Sequence, residues 1–295
     1  MPGYAPNTLL RPKSVEEAVT QLKKWGQSAR LVAGHTTLYE LVREGALGDV
    51  QCLIDVSQLG LDYITLETSG IQIGAATTFS DLAKSPLLES PEYFAVKETA
   101  GKITPPQIRN VGTLGGSICS GIPFYDMPTT LLALDAEVKV ASADGALVLP
   151  IDDFFIDYFV TALSPESLVT GVEIARSTIT GSSFTKIGRI SADFAVVNAA
   201  ARVQLDSHRR NIVSVRVALG AVARTPIRAV EAERVLQGKE TSKSVVQLAS
   251  SLAIPFDPTP SIHASSAYKK MVTPILVRDV LCSAIKRAGG EVSNS

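Results

Sequence analysis

The chain has 295 residues, of which 45% are hydrophobic and 19% charged, and its formal net charge is -1. This length is enough for two or three packed subdomains. Nucleic-acid-binding and anionic-membrane-binding proteins carry clustered Lys and Arg, which this near-neutral sequence lacks. No apolar run approaches the roughly 20 residues of a membrane span, and the N-terminus shows no signal peptide. We therefore expect a cytoplasmic protein with no membrane span and no nucleic-acid partner.

Three cysteines and three histidines are scattered along the sequence. The cysteines form no CxxC pair, which argues against a disulfide framework and excludes an iron–sulfur cluster held by this chain alone, because such a cluster needs four close ligands. The histidines form neither HExxH nor another zinc spacing. The sequence therefore predicts no metal site.

The first predicted unit alternates helices and strands. The capping box SVEE predicts a helix over residues 14–25. Residues 30–33 (RLVA) are typical of a short strand, which runs into Gly34 and a second helix over residues 37–44. A further strand over residues 50–55 completes a compact α/β unit.

After residue 60 the pattern becomes less regular. Residues 101–130 hold many Gly, Pro, Ser and Thr, and so long an irregular stretch in a compact domain usually binds something. Around it the predicted elements are strand 71–74, helix 78–88, helix 127–134, strand 137–141, the turn Asp144-Gly145 and strand 147–149.

From about residue 180 the pattern predicts an antiparallel sheet followed by helices. The predicted strands are 184–188, 198–205 and 212–222, and the predicted helices are 227–237, 241–253 and 265–287. We place a domain boundary near residue 177. Residues 289–295 are expected to be a frayed tail.

The segment LVAGHTTL at residues 31–38 is a candidate phosphate loop. A strand ends at a glycine and a helix starts within a few residues, so that free backbone N–H groups and the helix dipole favour a phosphate there. Gly34 would let the backbone approach closely, and Thr36 and Thr37 offer hydroxyl donors. The alternative is an ordinary capped helix after a strand.

A second candidate loop is NVGTLGGS at residues 110–117. Three glycines with hydroxyl and amide side chains are typical of an anion nest. The spacing is not GxGxxG and no clear strand precedes it, which disfavours a nicotinamide-binding Rossmann unit. The alternative is a tight glycine-rich turn.

Two charged residues are further candidates. Asp126 precedes an apolar helix and would either accept from a ribose hydroxyl or serve as a plain N-cap. Lys186 is a lone cation in a strand, a pattern that usually marks a solvated face. No Ser/His/Asp ordering and no pair of carboxylates indicates hydrolysis, so no catalytic residue is assigned.

Taken in order, these segments resemble one family. The order is AGHTT at residues 33–37, QIRNVGTLGGS at 107–117, Asp126 before a helix, and Lys186 followed by DFA at 193–195. This is similar to the FAD-binding medium subunit of molybdenum hydroxylases of the xanthine dehydrogenase and carbon monoxide dehydrogenase type. The resemblance covers nearly the whole chain, from YAP at residues 4–6 to ASSAYKK at 264–270.

The resemblance implies an α+β fold of the FAD-binding PCMH type. Residues 1–177 would form this domain from two α/β subdomains, about 1–58 and 59–177. Residues 178–290 would form a C-terminal domain with a three-stranded antiparallel sheet and helices. FAD would lie between the first two subdomains.

The resemblance also implies which residues hold FAD. Residues 32–38 and 113–117 would hold the diphosphate, Asp126 would contact the sugar chain, and Lys186 and Phe194 would lie at the flavin ring. The implied FAD-binding residues are Val32, Ala33, Gly34, His35, Thr36, Thr37, Leu38, Thr77, Ile103, Gly112, Thr113, Leu114, Gly115, Gly116, Ser117, Asp126 and Lys186.

The sequence departs from the family pattern in three places. His35 replaces the second glycine of the first loop, and Ser117 replaces an asparagine. Residues 119–125 (CSGIPFY) replace a small, acidic-rich stretch and would tune access to the flavin. Cys119 itself is interpreted as a buried inert thiol, because no nearby base activates it.

By resemblance the protein transfers electrons. A large molybdopterin subunit would oxidise the substrate, and a small subunit with two [2Fe–2S] clusters would carry electrons to FAD in this chain, which passes them to an external acceptor. The complex would be a dimer of heterotrimers, that is, a heterohexamer. The sequence names neither the substrate nor the acceptor, which could be NAD, oxygen, a quinone or another carrier.

Two other functions remain open from the residues alone. A stand-alone FAD enzyme of the same superfamily, such as UDP-N-acetylenolpyruvoylglucosamine reductase or vanillyl-alcohol oxidase, needs its own acid or base, and no convincing set is visible. A scaffold that lost its cofactor is disfavoured by the intact glycine loops.

Overall fold

A computed structural model describes residues 6–190 and 193–293 of the chain. Residues 4 and 5 of the family resemblance and residues 294–295 of the predicted tail lie outside this range. The described residues form three main sheets, one each within the ranges 8–55, 64–175 and 180–228. The domain boundaries near residues 58 and 177 stay predictions.

The first sheet is parallel, with strand order β1-β3-β2. Its elements are β1 (Thr8–Leu10), α1 (Val15–Trp25), β2 (Ala29–Val32), α2 (Thr36–Arg43) and β3 (Cys52–Asp55). The predicted cap at Ser14 is confirmed, since its hydroxyl accepts from the Glu17 amide at 3.2 Å, whereas the Glu17 carboxylate accepts from the Lys13 amide at 2.7 Å rather than from that of Ser14. Strand β1 was not predicted, because three residues are too few for a periodic pattern.

The second sheet is antiparallel, with strand order β4-β5-β10-β6-β7. The elements of this part are β4 (Ile64–Leu66), β5 (Gly70–Gly74), α3 (Phe79–Lys84), α4 (Phe94–Gly101), α5 (Pro106–Arg109), α6 (Leu114–Cys119), α7 (Asp126–Ala133), β6 (Glu137–Ser142), β7 (Gly145–Pro150), β8 (Phe155–Asp157), β9 (Val160–Thr161) and β10 (Leu168–Ala175). Strands β8 and β9 form a separate small hairpin. The central strand β10 and helix α4 were not predicted.

Two predictions in this part were wrong in detail. Residues 101–130 are not irregular, because α5, α6 and the start of α7 lie there; the first two are too short to show a helical period. The predicted helix 78–88 ends at Lys84, and Pro86 then opens a separate 3₁₀ turn. A residue before proline is held away from the α region, which explains the break.

The third sheet is antiparallel and confirms the predicted strand pattern. Its elements are β11 (Thr180–Ile187), β12 (Val197–Leu205), β13 (Ile212–Gly220) and β14 (Ile227–Arg228), followed by α8 (Val230–Leu236), α9 (Lys243–Ser251) and α10 (Ser266–Arg287). The sheet has four strands rather than the predicted three, because the two-residue strand β14 pairs with β13. The frayed-tail prediction was wrong up to residue 293, because the Ser293 amide donates to the Thr241 carbonyl at 2.9 Å.

The third sheet is buried on both faces, so that it belongs to two cores. Ala199 and Ala201 of β12 pack with the apolar sides of α8, α9 and α10. Ala200, one residue out of phase, packs with Phe184 into the core of the second part, together with α4 and α7. Since side chains alternate along a strand, Lys186 lies on the same face as Phe184. The Lys186 side chain therefore points towards the interior.

None of the helices in the described part of the chain is both long and apolar enough to cross a membrane.

An ion pair joins the last helix to the second part of the chain. The Arg287 guanidinium of α10 donates to the Glu98 carboxylate of α4 at 2.9 and 3.2 Å. It also lies 4.2 Å from the centroid of the Phe94 ring. Burial alone would raise the pKa of Glu98, but bonds from Arg287 and the Phe184 amide outweigh it and hold that pKa below its ordinary value.

Replacing this carboxyl tests the contact. We expect Glu98→Gln to lower the free energy of unfolding at pH 7 by about 2 kcal/mol, since it leaves the Arg287 charge without its partner. The lowered folded pKa means that the contribution is complete above the ordinary pKa of 4.5 and is lost as the pH falls through the folded pKa. Denaturant unfolding of both proteins from pH 7 to acid pH should show their stabilities converging.

The exposed Glu67, replaced as Glu67→Gln, is the matched control and should change stability by less than about 0.5 kcal/mol. A stability difference for Glu98→Gln that stays constant across the acid range would contradict the assignment.

Candidate functional site

A cavity of about 460 Å³ lies between the first sheet unit, helix α6, the start of α7 and strand β11. This volume lies within the usual range of ligand pockets, roughly 300–1,000 Å³. Thirteen of the residues implied by the resemblance line it: Val32, Ala33, Gly34, His35, Thr36, Thr37, Leu38, Ile103, Thr113, Gly116, Ser117, Asp126 and Lys186. The two loops predicted from sequence therefore meet at one cavity.

Four of the implied residues do not line the cavity wall: Thr77, Gly112, Leu114 and Gly115. Leu114 is fully buried in the hydrophobic core. Thr77 is also buried, and its hydroxyl donates to the Tyr63 carbonyl at 3.0 Å. These positions support the cavity from behind.

The first turn of helix α2 lines the cavity, and its backbone amides have no hydrogen-bond partner among the described residues. Its N-cap residue, His35, has a left-handed backbone with φ of 59° and makes no side-chain capping bond. Among the described residues, nothing accepts from the amides of Thr36, Thr37 and Leu38. Such amides at the positive end of a helix dipole suit a phosphate. The left-handed backbone also explains why the family prefers glycine at position 35.

Gly34 has a different role from the one predicted. A Cβ atom built at this position would lie 1.9 Å from the Val111 carbonyl oxygen. The first loop therefore touches the backbone of the second loop, and glycine is required for this contact between loops. Closeness to a ligand is not needed to explain this glycine.

The anion-nest interpretation of the second loop is corrected by its hydrogen bonds. The Leu114 amide donates to the Thr77 carbonyl at 3.0 Å, and the Gly115 amide donates to the Ala75 carbonyl at 2.8 Å. The Gly116 amide donates to the hydroxyl of Thr113, the N-cap residue of α6. These amides already have partners inside the protein, so the loop offers hydroxyl groups rather than a nest.

Ser117 is the hydroxyl residue that this loop turns into the cavity. It is 6% exposed and lines the cavity. Among the described residues its hydroxyl has no hydrogen-bond partner. The hydroxyl is open to the cavity, where a ligand or water can form a hydrogen bond with it. Ser117 thus fits a polar group of a bound molecule.

Asp126 and Lys186 form a buried ion pair at the other end of the cavity. The Lys186 ammonium lies 2.6 Å from the Asp126 carboxylate, with side-chain exposures of 11% and 7%. The Asn198 amide donates to the second carboxylate oxygen at 3.0 Å, and Asn198 is the cross-strand partner of Lys186. The solvated-face interpretation of Lys186 was therefore wrong. So was the N-cap alternative for Asp126, because Tyr125 is the N-cap of α7.

A second cation lies near the ion pair at this end of the cavity. Burial raises the pKa of Asp126, while Lys186 and Asn198 oppose that rise. A second cation, Lys102, donates to the Phe184 carbonyl at 3.1 Å, and burial lowers its pKa. Both ammonium groups interact with the Asp126 carboxylate in a site of low dielectric constant, and Lys102 also interacts with Glu98.

Three aromatic side chains line the cavity together: Phe194, which the resemblance places at the flavin ring, and two residues of the segment 119–125 that was expected to tune access to it. Phe124 and Tyr125 join Phe194, and the ring centroids of Tyr125 and Phe194 are 5.6 Å apart. The signal in the sequence was the position of FY directly before Asp126, in the segment that departs from the family pattern.

A buried lysine supports this wall from the third part of the chain. The Ala221 amide donates to the Pro123 carbonyl at 2.9 Å, just before the aromatic pair. The Ala221 carbonyl in turn accepts from the ammonium of Lys269 in α10 at 2.5 Å. Lys269 is 3% exposed, and burial lowers its pKa.

Cys119 is exposed and lines the cavity, which corrects its interpretation as a buried thiol. The walls of the cavity limit hydration of the thiolate and raise the pKa of Cys119 to about 12. It therefore stays protonated near neutral pH and is a poor nucleophile, in agreement with the rest of that interpretation.

The residues present fit FAD. Free amides at the start of α2 and the Ser117 hydroxyl suit a diphosphate, and cationic and aromatic side chains at the other end suit a flat electron-accepting ring. Within the described ranges no three His, Cys, Asp or Glu side chains are grouped so that they could hold a metal ion.

Comparison with known proteins agrees with this fit. Residues 5–177 match the model of the FAD binding domain in molybdopterin dehydrogenase, and residues 182–284 match the CO dehydrogenase flavoprotein C-terminal domain. The chain is 31% identical to subunit alpha of the 6-hydroxypseudooxynicotine dehydrogenase complex of Paenarthrobacter nicotinovorans, over 93% of each chain. It is also 31% identical to the carbon monoxide dehydrogenase medium chain of Hydrogenophaga pseudoflava, over 94% of this chain and 96% of the relative.

Solved structures agree with the sequence relatives. Carbon monoxide dehydrogenase from Hydrogenophaga pseudoflava superposes with a TM-score of 0.90 at 31% identity, over 96% of this chain and 98% of that one. Quinoline 2-oxidoreductase from Pseudomonas putida 86 superposes with a TM-score of 0.88 at 26% identity, over 98% and 99%. The chain therefore belongs to the family of FAD-binding medium subunits of molybdenum hydroxylase-type oxidoreductases.

Proposed function

We propose that this chain holds FAD in the cavity and relays electrons from iron–sulfur clusters of a partner subunit, through FAD, to an external acceptor. The observation that carries the proposal is the pairing, in one cavity, of free amides at the start of α2 with the Lys186 and aromatic end. FAD, when bound, supplies the means of accepting electrons one at a time and giving up two.

The residues of this chain bind and orient the cofactor. The amides of residues 36–38 and the Ser117 hydroxyl hold the diphosphate. Lys186, fixed by Asp126 and Asn198, holds a positive charge near the ring, and Phe194 covers one face of it. A positive charge in a dry site favours the negative charge that arrives with electrons.

The partners follow from the same proposal. The substrate is oxidised in a large molybdopterin subunit, a small subunit with two [2Fe–2S] clusters passes the electrons on, and the assembly is a dimer of heterotrimers. The relatives support this, since they are named as a subunit alpha or a medium chain of dehydrogenases. The cytoplasmic location stays a prediction from the sequence.

The relay is tested on the complex. Co-expression with its two partner subunits should yield a complex with one FAD per copy of this chain, measured after denaturation. Under anaerobic conditions, electrons from a prereduced small subunit should bleach the flavin absorbance and then reach an added dye. Removing FAD should stop dye reduction, because the clusters then have no route to it.

Three results would contradict the relay. Equal dye reduction without FAD would remove the cofactor from the route. Turnover of an organic substrate by this chain alone would favour a stand-alone enzyme. Failure to bind FAD at micromolar concentration would favour a scaffold.

The contact between the two loops predicts a selective loss of affinity. Gly34→Ala would place a methyl group 1.9 Å from the Val111 carbonyl oxygen, so the loops must move apart. We expect FAD to bind at least about tenfold more weakly, or about 1.4 kcal/mol, by titration of the apoprotein. Gly101→Ala is the matched control, because nothing lies within 4 Å of its new methyl group. Equal affinities of the two variants would refute the role of the contact.

The ion pair predicts a change in redox potential. Asp126→Asn removes the carboxylate and leaves the charge of Lys186 without its partner beside the ring. We expect the midpoint potential of bound FAD to rise by about 30 mV, or about 1.4 kcal/mol for two electrons. Spectroelectrochemistry on the loaded chain measures this, with Asp144→Asn in an exposed turn as control. An unchanged or lower potential would show that this pair does not face the ring.

A further inference from the structure

The Tyr125 side chain connects three parts of the molecule across the cavity. Its backbone belongs to the loop between α6 and α7. Its hydroxyl lies 3.2 Å from the Thr37 hydroxyl at the start of α2. Its ring stacks on Phe194, which follows β11, with 22° between the ring planes. One side chain thus spans from the phosphate-binding helix to the segment proposed to cover the flavin.

The stacking is part of a cluster of three rings. The centroid of Phe124 lies 5.1 Å from that of Phe194 and 6.0 Å from that of Tyr125. Ring pairs at these separations stabilise each other beyond the burial of their area, which favours one arrangement of the cluster. Phe194 is 58% exposed, so its outer side faces solvent while Tyr125 lies further inside. The cluster forms a layer between solvent and the cavity.

A hydrogen-bonded pair of hydroxyls holds the far end of Tyr125. Burial raises the pKa of Tyr125, so the phenol stays protonated and neutral at physiological pH. Thr37 also contacts the Ser120 hydroxyl at 3.4 Å, which places a residue of the same loop beside the contact. The Tyr125 side chain is therefore held both at its hydroxyl, by Thr37, and at its ring face, by Phe194.

We propose that Tyr125 determines which class of electron acceptor the cofactor can use, by excluding dissolved oxygen from the ring. The proposal rests on the proposed function, since it requires the flavin ring at the Lys186 end of the cavity. The electrons then leave to a carrier that stays outside the cluster.

The two kinds of acceptor differ in what they need. Oxidation by oxygen takes two electrons and two protons from reduced FAD, gives hydrogen peroxide and requires oxygen to reach the ring itself. A one-electron carrier takes electrons across a thin layer of side chains and needs no contact with the ring. A packed aromatic layer therefore blocks the first reaction and permits the second, as sites that exclude side reactions do.

The test is the rate at which oxygen reoxidises the flavin. The full chain, loaded with FAD, is photoreduced without oxygen and mixed with oxygenated buffer in a stopped-flow instrument. We expect Tyr125→Ala to reoxidise at least about tenfold faster than the wild type, a barrier lowered by about 1.4 kcal/mol. Tyr125→Phe, which keeps the ring, should stay within about threefold of the wild type. Reoxidation by a one-electron dye should change little in either variant.

Two further variants make the result decisive. Tyr39→Ala changes an exposed tyrosine of α2 that does not line the cavity, and it should match the wild type. Phe194→Ala removes the exposed stacking partner with little risk to folding, and it should also speed reoxidation by oxygen.

Each other result has a distinct meaning. Loaded Tyr125→Ala and Phe194→Ala that react with oxygen at the wild-type rate would overturn the proposal while leaving FAD binding intact. If Tyr125→Ala does not fold, the rate of Phe194→Ala alone decides in the same way. A wild-type chain that takes up no FAD would overturn the proposed function, and this inference with it.

Discussion

The cavity exists because two loops approach each other more closely than any residue with a Cβ atom would allow. Gly34 from the parallel sheet unit lies against the Val111 carbonyl of the following part. A similar contact sets Gly115 against Ala75 one layer deeper. These glycines bring the free amides of α2 and the Ser117 hydroxyl to the wall of one cavity, so that the rest of the site depends on these backbone contacts.

The second constraint is electrostatic, and it belongs to the third sheet. The register of β11 and β12 places Lys186 beside Asn198, on the face that packs on α7. Asp126, in the first turn of α7, meets both. A carboxylate and an ammonium that are both nearly excluded from water must stay together, because either one alone would pay the full cost of burial. The pair therefore fixes the C-terminal sheet against the cofactor-binding part.

The sequence predicted most long elements, because capping residues and apolar periodicity are local signals. It could not predict β10, whose place in the middle of the second sheet is decided by two distant partners, β5 and β6. The two loops were recognised from their order in the chain. The hydrogen bonds of these loops could not be predicted, since the amides of Leu114 and Gly115 donate to carbonyl groups some 40 residues away along the chain. The sequence pattern predicted an exposed side chain for Lys186, because its partner Asp126 lies far away in sequence.

The position of Lys269 in the chain determines when the cavity wall is completed during synthesis. It lies in the last helix, yet through Ala221 it supports the backbone at Pro123, next to the aromatic wall of the cavity. The glycine loops leave the ribosome long before this helix does, and N-terminal parts generally fold first during synthesis. While the chain grows, this wall therefore lacks the support of Lys269, which it gains only when the last helix docks. We therefore expect firm cofactor binding only after the arrival of a residue that does not itself line the cavity.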